Sequence, residues 1–453
     1  MTAPFDRRLI APMVLGTILN PVNSSMIAVA LVPIGLALGA PPGQTAWLVS
    51  GLYLATSVGQ PVVGRLVDTY GPRPLFLAGT ALAGVAGLLG TLSPSLPVLV
   101  VARVLLGFGT CAGYPAAMYL IRSEARRTGQ DSPSGVLTAL AVSAQTVAVV
   151  GPTLGGLLIG AGGWRTVFAI NIPLSVACVV LGALRLPRTP RESDRPRLDV
   201  PGILLFAAML TLLLLFLMDL KAGHWYLPVL VVAAGAAFAV RELRVPEPFL
   251  DLRVLGGNGA LLGTFGRTLL SFVVSYAFLY GYTQWLEESH HLSASAAGLV
   301  LLPMFGTAIL VSATTGRHPQ VRGKLLVGAV VLVVTCVLLV LLEPTTPIWL
   351  LVGVSIVSGV PQGLLSLANQ NALYHQADPE RMGSSAGLLR TFTYLGAIVA
   401  SAANGAFLAS GADTSGLHSL SEFLIAVAAV LLVVTVLDRS LRRIGAVRKE
   451  STA

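Results

Sequence analysis

Fourteen apolar runs follow one another along this chain with only short polar breaks, the first Leu9–Leu38 and the last Leu420–Leu437. A run of about 20 apolar residues is long enough to cross a bilayer as a helix. The helix is the spanning form available, because every backbone N–H and C=O must then find its partner inside the segment. Runs this uniformly apolar also lack the alternation of a barrel strand. Of 453 residues, 55% are hydrophobic and 11% charged, where a soluble domain carries about 25% charge. Little chain remains for a soluble domain, so a disordered chain, a disulfide scaffold and an ordinary cytosolic enzyme are excluded. Cys111, Cys178 and Cys336 all fall inside apolar runs and read as small buried hydrophobes. Met1–Arg8 leads into a run holding Asn20, Pro21 and Asn23, which reads as a first span rather than a cleaved signal.

The formal charge of +9, from 29 Lys and Arg against 20 Asp and Glu, is distributed as a membrane protein distributes it, not as a nucleic-acid binder. The cations gather in alternate loops: Arg65 and Arg73 in the second, Arg122, Arg126 and Arg127 in the fourth, Arg185 to Arg197 in the sixth, Arg241, Arg244 and Arg253 in the eighth. Arg317, Arg322 and Lys324, then Arg381, continue the series, and Arg7, Arg8 and the tail Arg439–Lys449 flank it. The other side holds only Arg165 and Lys221. An even number of spans with both termini in the cytoplasm follows, in the plasma membrane, with the tail against anionic lipid.

Gly64-Arg65 is followed seven residues later by Gly71, and Gly316-Arg317 seven residues later by Gly323, each after the second span of a six-span group. The repeat predicts an all-α integral membrane fold: a six-helix bundle over residues 1–198, two inserted transmembrane helices and a linker over 199–257, a second six-helix bundle over 258–440, and a basic tail over 441–453. Parallel repeats of this kind imply alternating access around a midplane cavity.

The strongest local motif is Gly64-Arg65-Leu66-Val67-Asp68-Thr69-Tyr70-Gly71-Pro72-Arg73. Its glycines allow a tight turn, Asp68 is placed to cap or pair with a neighbouring helix end, and its arginines anchor the interface. A plain positive-inside turn explains the same residues. Span 5 holds Gly151-Pro152-Thr153-Leu154-Gly155-Gly156, where small residues permit close packing and Pro152 a kink, with or without a role in transport.

These pieces resemble the major facilitator superfamily and, within it, the drug:proton antiporters of fourteen spans. The loop motif is similar to the superfamily's loop signature. Arg103-Val104-Leu105-Leu106-Gly107-Phe108-Gly109 resembles its membrane-arginine motif, and the Gly151–Gly156 stretch its antiporter signature. Trp164-Arg165-Thr166-Val167-Phe168-Ala169-Ile170-Asn171-Ile172-Pro173 and Pro246-Glu247-Pro248-Phe249-Leu250-Asp251-Leu252-Arg253 are similar to stretches of the fourteen-span branch. The resemblance implies a multidrug efflux carrier, not an enzyme, that works without a cofactor or resident metal, exports amphipathic small molecules and takes a proton as coupling partner. It also implies that Gly64, Asp68, Gly71, Arg73, Gly151, Pro152, Gly155 and Gly156 serve conformational exchange.

A cation at a helix centre costs about 3 kcal/mol on insertion scales, so Arg103, Arg267 and Arg390 must each face protein or water. By resemblance Arg103 handles protons; by packing alone it bonds carbonyls. Where the family places an acid in span 1, this chain has Asn23, which cannot titrate. Thr69, Pro74 and Val147 also depart from the family pattern. No other span interior supplies Asp or Glu; Asp219, Glu287, Glu288 and Glu422 lie near outer boundaries, and Glu287 and Glu288 join Arg103 as coupling candidates. Asn20, Asn23, Tyr114, Gln145, Arg267, Tyr276, Gln284, Asn369 and Arg390, with Gln362, Gln370 and Tyr280, are the cavity candidates. Each has interhelical hydrogen bonding as its plain alternative. An uncharged cavity of amides and aromatics suits neutral or weakly charged amphipathic compounds. His290 and His291 beside Glu287 and Glu288 read as an external loop rather than a metal site. A monomeric exporter driven by an ion gradient is the leading expectation. A metabolite uptake or exchange carrier, an uncoupled uniporter, a lipid-modifying enzyme and a sensor are the other classes weighed.

Overall fold

The structure, a computed structural model, describes residues 5–40, 42–45, 47–129, 134–188, 199–218, 224–292, 294–316, 318, 320–408 and 412–442. Asp219, Lys221, Arg191, Arg195, Arg197, Arg317 and nearly all of the basic tail lie outside the described residues. Among those described there is no strand. In chain order the helices are α1 (Ile10–Leu38), α2 (Pro42–Thr45), α3 (Trp47–Tyr70), α4 (Pro72–Thr91), α5 (Leu96–Thr110), α6 (Gly113–Thr128), α7 (Ser134–Gly162), α8 (Thr166–Ala169) and α9 (Asn171–Arg185). Then come α10 (Val200–Met218), α11 (Tyr226–Arg244), α12 (Leu252–Gly257), α13 (Gly259–Glu288), α14 (Ala294–Thr315), α15 (Val321–Val340), α16 (Ile348–Gln376), α17 (Met382–Phe407) and α18 (Thr414–Leu437).

Among the described residues, twelve helical stretches are long and apolar enough to cross a membrane, thirteen when the bent α7 is taken as one span. The remaining expected span is α3, whose Ser50, Thr56, Ser57, Gln60, Arg65 and Asp68 dilute its apolar content. Two expected spans are not continuous helices. Span 4 breaks at Cys111–Ala112 into α5 and α6, and span 6 breaks at Ile170 into α8 and α9. Gly71 explains the tight link between α3 and α4: its φ of 85° lies in the left-handed region, and Pro72 opens α4 where a missing N–H has no cost. Asn258 caps α13 by accepting from the Leu261 N–H at 3.0 Å, and Asp413 caps α18 by accepting from the Gly416 N–H at 2.7 Å.

The helices pack as two units. The first comprises Met1–Thr211, Ala234–Asp251 and Ala377–Thr391; the second comprises Leu212–Ala233, Leu252–Gln376 and Phe392–Ala453. In the first, α1 lies along α7, and α5 packs on both α3 and α4. Its core gathers Val22, Met26, Ile27, Ala30 and Ile34 of α1 around Leu48, Leu99, Trp164, Val167 and Phe168. In the second, α16 packs on α14 and α15, while α18 packs on α15 and α13. One apolar cluster there runs from Val274 through Leu325 and Leu332 to Leu424 and Leu431. Another surrounds Tyr282 and Trp285, both 0% exposed.

Candidate functional site

The middle of α1 carries the polar centre of the first unit. Asn20 Nδ2 donates to Thr110 Oγ1 at 3.0 Å and to Thr56 Oγ1 at 3.4 Å. Asn23 and Asn171 form a reciprocal amide pair: Asn23 Nδ2 donates to Asn171 Oδ1 at 2.7 Å, and Asn171 Nδ2 donates to Asn23 Oδ1 at 2.9 Å. Asn23 Nδ2 also donates to the Leu19 carbonyl at 2.8 Å, so its donors are fully engaged and the side chain is 2% exposed. Glycine at 87 admits Asn171 this closely, because a Cβ there would press on Asn171 and on the Phe168 carbonyl.

Arg103, 2% exposed, reaches into the same region from α5. Its Nε donates to the Leu48 carbonyl at 2.7 Å and its Nη1 to the Asn23 carbonyl at 3.2 Å. Nη2 is buried without a hydrogen-bond partner, and no carboxylate pairs with this guanidinium among the described residues. The centre therefore holds one buried positive charge bound only by neutral oxygens. Arg390 lies over the Tyr114 ring, 4.1 Å from its centroid, a cation–π contact that compensates part of its charge without an acid.

The loop motif makes a contact across more than 300 positions in the first unit. Asp68 accepts from the N–H groups of Gly383 and Ser384, both at 2.7 Å, and from the Ser384 hydroxyl. These are first-turn amides of α17, which have no partner within their own helix and carry its positive dipole end. Above this contact α3 and α17 cross without intervening side chains. A Cβ on Gly64 would collide with the Gly383 carbonyl, and one on Gly387 with the Gln60 carbonyl. Thr391 Oγ1 closes the stripe by donating to the Ser57 carbonyl at 2.9 Å. Arg73 Nη2 donates to the Ala183 carbonyl of α9 at 2.7 Å. In α7, a Cβ on Gly151 would collide with Ser25, and one on Gly155 would press on Met26 and Val29, whereas Gly156 faces open space. Pro152 lies between them, half-buried.

Apart from Gln145 of α7 in the first unit, the remaining candidates fall in the second unit or at its surface. Arg267 of α13, 0% exposed, forms an ion pair with Asp438 just past α18, and its Nη2 donates to Thr264 Oγ1 at 2.7 Å. Tyr276 and Tyr280 adjoin along α13 with ring centroids 5.8 Å apart and planes tilted by 31°. Asn369 is 3% exposed, and its Oδ1 has no partner among the described residues. Gln284, Glu287 and Glu288 are exposed, and Glu288 accepts from the Ala412 N–H at 2.7 Å. Gln145 is half-buried in α7. His290 is within 2.8 Å of the Thr346 carbonyl, and no metal-ligand cluster is present among the described residues. Asn171, Thr56, Thr110, Ser384 and Asp438 were not singled out by sequence. Asn171 had a signal, as a letter of the span 6 motif; the others are ordinary polar residues whose partners lie far away in sequence.

The comparisons fit this architecture. A family described as the Major Facilitator Superfamily matches residues 13–401. The uncharacterized MFS-type transporter YwoD of Bacillus subtilis (strain 168) is 32% identical over 398 residues, 85% of this chain and 86% of that protein. The tetracenomycin C resistance and export protein of Streptomyces glaucescens is 30% identical over 332 residues, 69% of this chain and 60% of that protein. The crystal structure of the human organic anion transporter MFSD10 (TETRAN) superimposes with a TM-score of 0.69 at 14% identity, covering 95% of this chain and all of that one, a likeness of fold. The chain is a multi-pass membrane transporter, not an enzyme, and it belongs to the Major Facilitator Superfamily.

Proposed function

We propose that the chain exports small amphipathic, drug-like molecules across the plasma membrane by alternating access, coupled to an ion gradient, with both termini in the cytoplasm. In this reading residues 1–198 and 258–440 are the two six-helix bundles, 199–257 the inserted pair, and the chain works as a monomer. The observation that carries it is the hold of Asp68 on the first-turn amides of α17. A carboxylate that binds a helix end through two N–H groups and a hydroxyl forms a contact strong enough to define one state. The tetracenomycin C relative, a resistance and export protein, supports the outward direction and the substrate class. An interior of amides, aromatics and unpaired guanidinium suits neutral or weakly charged compounds. Proton coupling would then run through Arg103 and its neighbours, because the span 1 position of the family acid is Asn23.

The buried Asn23–Asn171 amide pair favours a second reading, an uncoupled carrier of the same fold. Everted vesicles separate the two. Accumulation of a toxic amphipathic dye only under an imposed proton gradient supports coupled export. Flux that ignores the gradient selects the uncoupled carrier, and absence of flux for every amphipathic compound tried removes the export reading.

A further inference from the structure

The helices α10 and α11 end, on the side rich in arginine, in a charged cluster that the transport reading leaves unused. Asp199 caps α10 by accepting from the Gly202 N–H at 3.1 Å. Its carboxylate also takes a pair of hydrogen bonds from Arg241 of α11, 2.9 Å from Nε and 2.6 Å from Nη2. Next to Arg241, Glu242 is 0% exposed. Its Oε2 accepts from the Leu250 N–H at 2.8 Å, while its Oε1 is buried with no hydrogen-bond partner among the described residues. Gly202 reveals what faces that oxygen: a Cβ there would collide with both Asp199 Oδ2 and Glu242 Oε1. Two carboxylate oxygens thus converge on one small space that only a glycine leaves free.

Two ionised carboxylates do not share such a place, because burial and like charge both favour protonating one of them. An anionic Glu242 would leave Oε1 without a donor in a site closed to water, facing another acceptor. A neutral carboxyl removes both faults. The proton on Oε1 becomes the donor, and Asp199, kept ionised by Arg241, becomes the acceptor. We propose that Glu242 and Asp199 form a carboxyl–carboxylate proton-binding site whose occupancy holds residues 250 and 251 in place and, through them, the start of α17.

The hold is a chain of contacts within the first unit. Glu242 binds the Leu250 N–H, and the adjacent Asp251 accepts from Arg381 Nη1 at 3.1 Å. Arg381 stands two residues before Gly383, whose N–H binds Asp68. The charged groups bearing on Glu242 are Asp199 before α10, Arg241 beside it on α11, and Asp251 in the following loop; Arg381 acts through Asp251. Glu242 stands between the loop cations Arg241 and Arg244, and burial lifts its carboxyl from 4.5 to about 7. Asp199 and Asp251 add to that rise, while the Leu250 N–H and Arg241 oppose it. A raised native value means the tie is complete below the ordinary carboxyl range and is lost as pH climbs through about 7.

Infrared difference spectroscopy of the full-length protein in lipid nanodiscs, stepped from about pH 5 to about pH 9, tests the site independently of any transported compound. The expected result is a protonated-carboxyl stretch that disappears near neutrality, shifts in D2O and is missing in Glu242→Gln. Asp199→Asn should move its midpoint down by about one unit or more, since the neighbouring negative charge is lost. Hydrogen exchange over residues 246–252, corrected for intrinsic rate, should lose protection with the same midpoint. It should stay protected in Glu242→Gln, whose amide can donate to Asp199 and accept from Leu250. A band that survives Glu242→Gln, no band near neutrality, or a midpoint indifferent to Asp199→Asn overturns the site. If Glu242→Gln does not fold, the Asp199→Asn shift decides. Protection that ignores the midpoint overturns the link to residues 250 and 251.

Discussion

The two fully buried arginines are held in opposite ways. Arg267 in the second unit has a carboxylate, Asp438, and a threonine hydroxyl. Arg103 in the first has, among the described residues, two backbone carbonyls and no carboxylate; each guanidinium leaves one nitrogen unpartnered, Nη2 of Arg103 and Nε of Arg267. The first arrangement compensates a charge; the second leaves a positive centre beside neutral amides. A compensated pair belongs to the frame of the unit, whereas an uncompensated cation raises the local potential and favours any electron-rich or anionic group brought near it. On this difference we propose that Arg267 serves stability and Arg103 function, an assignment the following variants test.

Removing one partner of the compensated pair should have the largest effect. Arg267→Ala strands Asp438 and should destabilise the protein by about 3 kcal/mol, read as a lower melting temperature and loss of monodisperse protein in detergent. An unchanged melting temperature breaks the comparison from the structural side. Arg103→Ala should cost less, about 1–2 kcal/mol, because it strands two carbonyls but also deletes an uncompensated charge. Dye export in vesicles should nevertheless fall at least about tenfold; the reverse ranking in stability, or normal flux, breaks the comparison from the functional side. Asn23→Asp sharpens it by supplying a carboxylate beside Arg103 at the expense of the amide's donations to Leu19 and Asn171. A stability loss of about 1 kcal/mol and a new inflection in the pH profile of flux are expected, with Asn23→Ala as the control that lacks the inflection. The smallest effect is a null one. Burial alone would raise the Asp438 carboxyl, but hydrogen bonds from Ser440 and Arg267 and the charge of Arg267 bring it below its usual value of 3.8. A depressed value places the loss of the pair at acid pH, so the second unit's melting temperature should stay flat between about pH 5 and 8.

Most of the fold was legible because hydrocarbon imposes one rule on every span: enough apolar residues in a row. The rule fails where partners replace lipid. The polar face of α3 is paired with α17 through Asp68, Gly64 and Gln60, so its composition is explained by a neighbour more than 300 positions away. The breaks at Cys111–Ala112 and Ile170 are backbone events inside apolar sequence, with only Pro115 and Pro173 nearby as local hints. The site was less readable for the same reason. Asn23 was visible as a departure from the family acid, but Asn171, which takes up its amide, lies 148 positions away. Asp438 belongs to no motif, and only the end of α18 brings it to Arg267. Glu242 sits among arginines in the sequence, and only the glycine at 202 and the Leu250 amide mark it as enclosed.

Cys111, Cys178 and Cys336 are 0%, 0% and 1% exposed and unbonded. A chain that keeps every thiol out of reach in this way offers disulfide exchange and maleimides nothing to attack. It can therefore work unchanged on either face of a redox boundary, and one cysteine added at its surface would report alone.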